Sequence, residues 1–565
     1  MAYQEFQTCT DPVFESRKIV DADGTALYET QLVSLLHEII ARNDSNLLMQ
    51  YITAWEWDLP GRDIPVPDIH SHDPFYIAAA HGCLDALRVL LDAHSAGKTE
   101  AHSASASASA SIEQERGFSL LHVACQHAQI EIVKFLLDSD PALATVHDKD
   151  PGGWTPLMAA AYSTGTFGDG ADTSTLGEVL INMLLDRGAS ARDCVSSPTT
   201  GIDTATASES GGHRLPQADS TVLSLAISGC SYRTVKRLLE AGADIHQPLA
   251  IHSDTPGSGF WDDGLDVRDV TALHLGSAAW NVEGIRAVLD HCYEMKSDMT
   301  FWRDSMGRLP LHYAAAGSDP TGTLEPSLII LENDLAQRIT GTFELLVPND
   351  DAGTAKLINT RDAQGATPLH YAVRTHGRCG TQGSKHAYRT IAWLLSHGGN
   401  ASIGDGRNRT ALHVLAYASL DGEPIDTNLI TLLMKYGCPL DTPDEDGETP
   451  LHILARHLRQ AHAAKELIKH GARVDVVNKK GNLPLHEAMR GAIRPRLSWD
   501  CQRQEQVSLG DRVRAQDEVV RALLDVHGTT SVLDQPNGQG KTPRVLREET
   551  RRRWEEMERG TNASN

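Results

Sequence analysis

Residues 362–373 read DAQGATPLHYAV, and from Asp444 the chain nearly repeats itself as DEDGETPLHILA. Weaker copies are DPGGWTPLMAAA from Asp150, DSMGRLPLHYAA from Asp304 and NKKGNLPLHEAM from Asn478. Looser ones are NRTALHVLA at Asn408, DVTALHLGS at Asp269, FSLLHVACQ at Phe118 and STVLSLAIS at Ser220. HDPFYIAAA at His72 and VSLLHEIIA at Val33 are the most worn. A phrase this short, recurring along most of 565 residues, is one supersecondary unit per copy. A unit of that size buries its apolar side only by stacking on its neighbours.

A second phrase follows most copies. It reads VKFLLDSD at 133–140, INMLLDRGAS at 181–190, VKRLLEAGADI at 235–245, IAWLLSHGGNAS at 391–402, LITLLMKYGCPL at 429–440 and AKELIKHGARVD at 464–475. Each part has a physical reason. Asp or Asn followed by a glycine makes a turn, the side chain bonding its own backbone while Gly takes a positive φ. Thr then stands where a helix needs its N-cap, and Pro at the first helical position. Leu and the alanines form a narrow face for close packing, the Val/Leu-Leu helix supplies core bulk, and Gly-Ala ends it in a left-handed cap.

Together the two phrases resemble the ankyrin repeat, D-x-x-G-x-T-P-L-H-x-A-A followed by V-x-x-L-L-x-x-G-A, over about residues 33–548. The resemblance implies an all-α fold, an elongated solenoid of about ten or eleven helix-turn-helix units with β-turn fingers. With the His of T-P-L-H as marker, the copies fall at 37, 76, 122, 158, 224, 274, 312, 370, 413, 452, 486 and 545. Only the step from 452 to 486 is close to the family period of about 33, so the array carries many insertions, which in solenoids map to loops and often to the binding side.

The expected organisation is a tail at 1–32, degenerate N-terminal units at 33–100 and a Ser/Ala-rich linker at 101–117. Repeats follow at 118–193, then a disordered insertion at 194–219, repeats with insertions at 220–530, and a capping half-repeat with tail at 531–565. In the last of these, Glu548 with Arg552 and Arg551 with Glu555 are spaced i,i+4, as on a solvated helix face.

NGQGKTP at 537–543 has the look of a phosphate-binding loop. Such a loop needs a glycine five residues before Gly540, where Gln535 stands, and Pro543 falls where the repeat puts proline. The segment reads as another repeat turn. Eight of the 26 histidines occupy the repeat's own His position, where hydrogen bonding to adjacent turns is expected rather than metal binding. The run Asp68-Ile69-His70-Ser71-His72-Asp73 lacks a second ligand cluster at zinc spacing. No nucleophile elbow, metalloprotease helix, kinase motif set or dinucleotide fingerprint occurs. The expectation is no catalytic residue, no cofactor and no metal.

A net charge of −24 disfavours nucleic acid and anionic membranes as direct partners. No stretch reaches the roughly 18 apolar residues of a spanning helix, and the amino terminus lacks a signal pattern. Nine scattered cysteines without C-x-x-C suit reduced thiols, hence the cytosol or nucleus.

Function therefore rests on a protein partner held by finger loops and a concave helix face, as in arrays this one resembles. The broad reading is a non-enzymatic interaction scaffold. A narrower one is a transcriptional co-regulator that binds DNA-binding factors without touching DNA, and a third, an enzyme built from the insertions, has no constellation behind it. The turn positions that the repeat leaves free include Trp154, Met306, Arg308, Glu445, Asp446, Lys479 and Lys480. Trp154 and Met306 rank first as partner contacts, although packing on a neighbouring finger is the competing role. Phe260 and Trp261 in the acidic insertion at 254–266, and Arg374 and Arg378 in the acid-free run at 374–389, complete the candidate set.

Overall fold

A computed structural model of the chain describes residues 18–21, 26–28, 35–54, 73–96, 118–139, 141–166, 171–196, 219–251, 267–292, 299–317, 332–348, 350–376, 384–418, 424–493, 507–525 and 530–562. Phe260, Trp261 and Arg378 lie outside the described residues, as do the linker at 101–117, His70 and His72, and most of the tail at 1–32 and the insertion at 194–219.

The T-P-L-H copies become short helices. Pro450–Arg456 and Pro484–Arg490 have seven residues each, too few to be stable alone. Proline opens both, and the residue before it is extended, with ψ 163° at Thr449 and at Leu483. The following phrase forms a second, longer helix that runs back beside the first and ends in a left-handed glycine, as at Gly471 (φ 99°).

The chain divides into two compact units, residues 1–217 and 218–565. In the first, inner helices Leu35–Ala41, Pro74–His81, Leu120–Gln126 and Pro156–Thr166 stack in chain order. Their partners are Ser45–Ala54, Leu84–Ala96, Ile130–Asp138 and Ala171–Asp186. A short antiparallel pair, Lys18–Val20 with Ala26–Tyr28, precedes them.

In the second unit the inner row runs Val222–Ala226, Ala272–Ala278, Pro310–Ala316, Pro368–His376, Ala411–Ala418, Pro450–Arg456, Pro484–Arg490 and Pro543–Asn562, each packed on the next. The outer row runs Tyr232–Glu240, Val282–His291, Glu332–Leu346, Ser384–Ser396, Thr427–Lys435, Ala461–Lys469 and Leu509–Leu524. In chain order between Glu332–Leu346 and Ser384–Ser396 comes a further helix, Asp351–Ile358, which buries Thr354, Leu357 and Ile358, is tied at its end to Gly398 O through Asn359, and accounts for part of the long step from marker 312 to 370.

In chain order, residues 318–331, 377–383, 419–423 and 494–506 each fall between an inner helix and its outer partner. The insertion at 252–266 is different, because it joins the paired strands Leu249–Ile251 and Val267–Val270 of a finger.

The last helix departs from expectation in one respect. Arg551 turns inward instead of pairing along its own helix: Nε donates to Gln516 Oε1 at 3.0 Å and a terminal nitrogen to Asp517 at 2.5 Å. Gln516 is fully buried and also caps the end of the preceding inner helix, donating to Met489 O at 3.0 Å.

Candidate protein-docking surface

The fingers begin with the acid or amide that opens each copy. Asp444 Oδ1 accepts the N–H groups of Asp446 and Glu448 at 2.9 and 2.8 Å. Gly447 sits at φ 75°, where a Cβ would be strained. The same two bonds, all between 2.8 and 3.0 Å, recur from Asp304, Asp362, Asp405, Asn478 and Asn537.

NGQGKTP is thus a finger. Asn537 Oδ1 gathers Gln539 N and Lys541 N, and the Lys541 ammonium is held by Glu549 at 2.7 Å, turned to the following helix and not toward a phosphate cradle.

Backbone bonds then join one finger to the next. Ser305 N donates to Arg268 O, Ala363 N to Met306 O and Gly406 N to Gln364 O. Glu445 N donates to Arg407 O, Lys479 N to Asp446 O and Gly538 N to Lys480 O. Their lengths run from 2.6 to 3.1 Å. Seven successive fingers of the second unit, joined by these six bonds, form one ladder, whose outer edge carries exposed Arg268, Ser305, Ala363, Gln364, Arg407, Glu445, Asp446, Lys479, Lys480 and Gln539.

Behind the ladder the repeat histidines form a second, buried set of ties. His452 is 0% exposed. Its Nδ1 accepts the N–H of Thr449 at 3.1 Å, and its Nε2 meets the next finger at Asn482 O, 3.0 Å away. An Nδ1 that accepts a backbone N–H leaves the ring proton on Nε2, which donates it to the carbonyl. His274, His370, His413 and His486 are placed alike, meeting Arg308 O, Arg409 O, Glu448 O and Gln535 O at 3.0–3.3 Å. In the first unit His122 meets Trp154 O at 2.8 Å.

Where the copy lacks Thr, as at Leu309 and Leu483, the histidine still caps the backbone N–H, at 3.0 and 3.1 Å. Burial lowers the pKa of each of these rings, His274 to about 4 and His312 to about 3.

A third layer is charged. Arg308, 4% exposed, donates Nε to Asp304 Oδ2 at 2.7 Å, and Tyr313 donates its hydroxyl to the same oxygen at 2.9 Å. Tyr371 does likewise for Asp362 at 2.7 Å. At the next copies the roles change hands. Arg456 spans two buried carboxylates, Glu448 and Glu487, while Asn482 donates to Glu487 at 2.7 Å.

The sequence candidates separate accordingly. Lys479 and Lys480 are exposed on the ladder edge, and Met306 is a half-buried tip. Arg374 is half-buried on the inner helix Pro368–His376. Trp154 and Arg308 are not surface residues. Trp154 is 5% exposed and packs edge-on against Tyr162 at 5.5 Å, and Arg308 is drawn in by Asp304. Trp154→Ala is expected to destabilise the first unit by about 3–5 kcal/mol, as for other buried aromatics, measured by denaturant unfolding. A change below about 1 kcal/mol would return Trp154 to the surface set.

Gln364 and Arg407 were missed. The finger around Arg407, Asp405-Gly406-Arg407-Asn408-Arg409, has its glycine two places early, and Asn408 takes the left-handed position at φ 59°. Asn's tolerance of that region is the signal that finds it.

A family profile described as ankyrin repeats, in three copies, matches residues 75–169 and 415–494. Both stretches are ankyrin repeats. Their fingers, paired helices and buried histidines are those described above, and fingers of the same construction occur between the matched stretches, at Asp304, Asp362 and Asp405. No curated protein matches the sequence. Among the described residues no group of three or more His, Cys, Asp or Glu is placed to hold a metal ion, and no helix is long and apolar enough to cross a membrane. Ankyrin repeats are protein–protein interaction modules.

Proposed function

We propose that this chain is a non-enzymatic scaffold, in the cytosol or nucleus, whose second unit docks a protein partner on its row of ankyrin fingertips. The observation behind this is the ladder. Seven tips held in register by six backbone bonds present exposed side chains on supports that no longer need ordering, so binding loses little conformational entropy. The chemistry of the interior is consumed internally: histidines cap fingers, and the buried acids answer to Arg308, Tyr371 and Arg456. The narrower role of co-regulator requires DNA-binding factors among the partners in a nuclear fraction.

The test compares the tagged full chain with a variant bearing alanine at Arg407, Glu445, Asp446, Lys479 and Lys480. Both are purified from nuclear and cytosolic fractions of the native host. Proteins recovered with the parent and lost from an equally stable variant support finger docking. Proteins retained equally by both would place the docking surface elsewhere.

A further inference from the structure

The exposed charges on the ladder are ordered. The first finger carries one charge of each sign, Arg268 and Asp269; the next tips, Ser305–Met306 and Ala363–Gln364, are neutral, as is Gly538–Gln539 at the far end. Between them lie Arg407, then Glu445 and Asp446, then Lys479 and Lys480: positive, negative, positive on three consecutive tips. All five residues are exposed, and none is engaged in a side-chain hydrogen bond or ion pair among the described residues.

Other charges close by are committed. Arg361 is bound to Gly365 O and Gly404 O, Arg473 to Asp475, and Lys541 to Glu549. A row of unengaged charges that alternates in sign with the fingers is complementary to a partner whose charges alternate in the opposite sense.

Resting on the finger-docking reading, we propose that these three tips hold an extended protein segment whose charges run acidic, basic, acidic. Each finger is two strands wide, so neighbouring tips stand about 10 Å apart, or about three residues of extended chain. The segment therefore places an acid against Arg407, a base three residues on against Glu445 and Asp446, and an acid three residues further against Lys479 and Lys480. The neutral tips on either side bound it to about seven residues. Exposed pairs are individually weak and screened by salt, so specificity comes from the order of signs and binding weakens as ionic strength rises.

A display library of random 12-residue peptides, selected on the full-length protein at low salt, tests this. Enriched peptides should share acid-x-x-base-x-x-acid. Their affinity should fall at least tenfold on the Lys479→Glu/Lys480→Glu double variant, and a peptide with the facing acid changed to lysine should recover it. Thermal melting of the variant, expected unchanged for exposed tips, separates lost binding from lost folding. Peptides that lose binding on finger substitution but lack this order of charge would overturn the inference and leave finger docking intact. Peptides indifferent to all five tip residues would overturn both. An empty selection, or a salt-sensitive self-dimer that occludes the tips, would also overturn the inference.

Discussion

Arg308→Ala is expected to destabilise the second unit by about 3–5 kcal/mol, the range for removing one partner of a buried ion pair. Asp304 has a side chain 0% exposed and Arg308 one 5% exposed. Without the guanidinium, the carboxylate keeps two backbone N–H donors and the Tyr313 hydroxyl but no cation. An internal control exists two fingers further on. Arg409 pairs with Asp405 through the same i,i+4 spacing at 2.7 Å, but its side chain is 31% exposed. Water already screens that pair, so Arg409→Ala should change stability by about 1 kcal/mol or less. Denaturant midpoints of the two variants decide the matter. Equal losses would mean that burial does not set the strength of these pairs.

The second large effect is with pH. The buried repeat histidines of the second unit are neutral because each Nδ1 receives a backbone N–H and each ring is cut off from water. The unfolded chain takes up protons near pH 6.5, whereas the folded rings stay neutral to about 4 at His274 and about 3 at His312. The unfolded state therefore binds more protons as pH falls below 6.5, and stability falls with it. At pH 5 these two residues alone remove about 4 kcal/mol relative to pH 8. His370, His413, His452 and His486 act in the same direction. Unfolding midpoints recorded from pH 8 to pH 5 should drop steadily below 6.5, before the lowered carboxylates Asp405 and Glu487 titrate. A flat profile across that window would contradict the neutral, capped rings.

Much of this fold could be read along the chain because its determinants are local. The turn needs Asp or Asn and then a left-handed residue, the helix needs its cap, and each lies within a dozen positions of the others. The same locality explained NGQGKTP. What could not be read depended on neighbours in space. Trp154 occupies a turn position that looks free, yet it packs on Tyr162 of its own inner helix. Arg308 sits at an equally open position and is buried by Asp304, Tyr313 and Tyr371.

The residues after the marker histidines, Tyr313 and Tyr371, gave no sign in sequence of reaching back nine positions to the finger acid. Glu487 replaces them where Asn478 replaces Asp, so donor and acceptor trade places across the same gap. The helix Asp351–Ile358 was hidden because it belongs to no copy of the phrase.

The central claim is that the fingertips of the second unit form one rigid, preordered row. Native-state hydrogen exchange on Ser305, Ala363, Gly406, Glu445, Lys479 and Gly538, the six donors of the ladder, tests it most directly. Protection at all six comparable to that of the inner helices beside them is the predicted result. Exchange at loop rates, with the inner helices still protected, would mean that the tips move independently and that no preformed docking row exists.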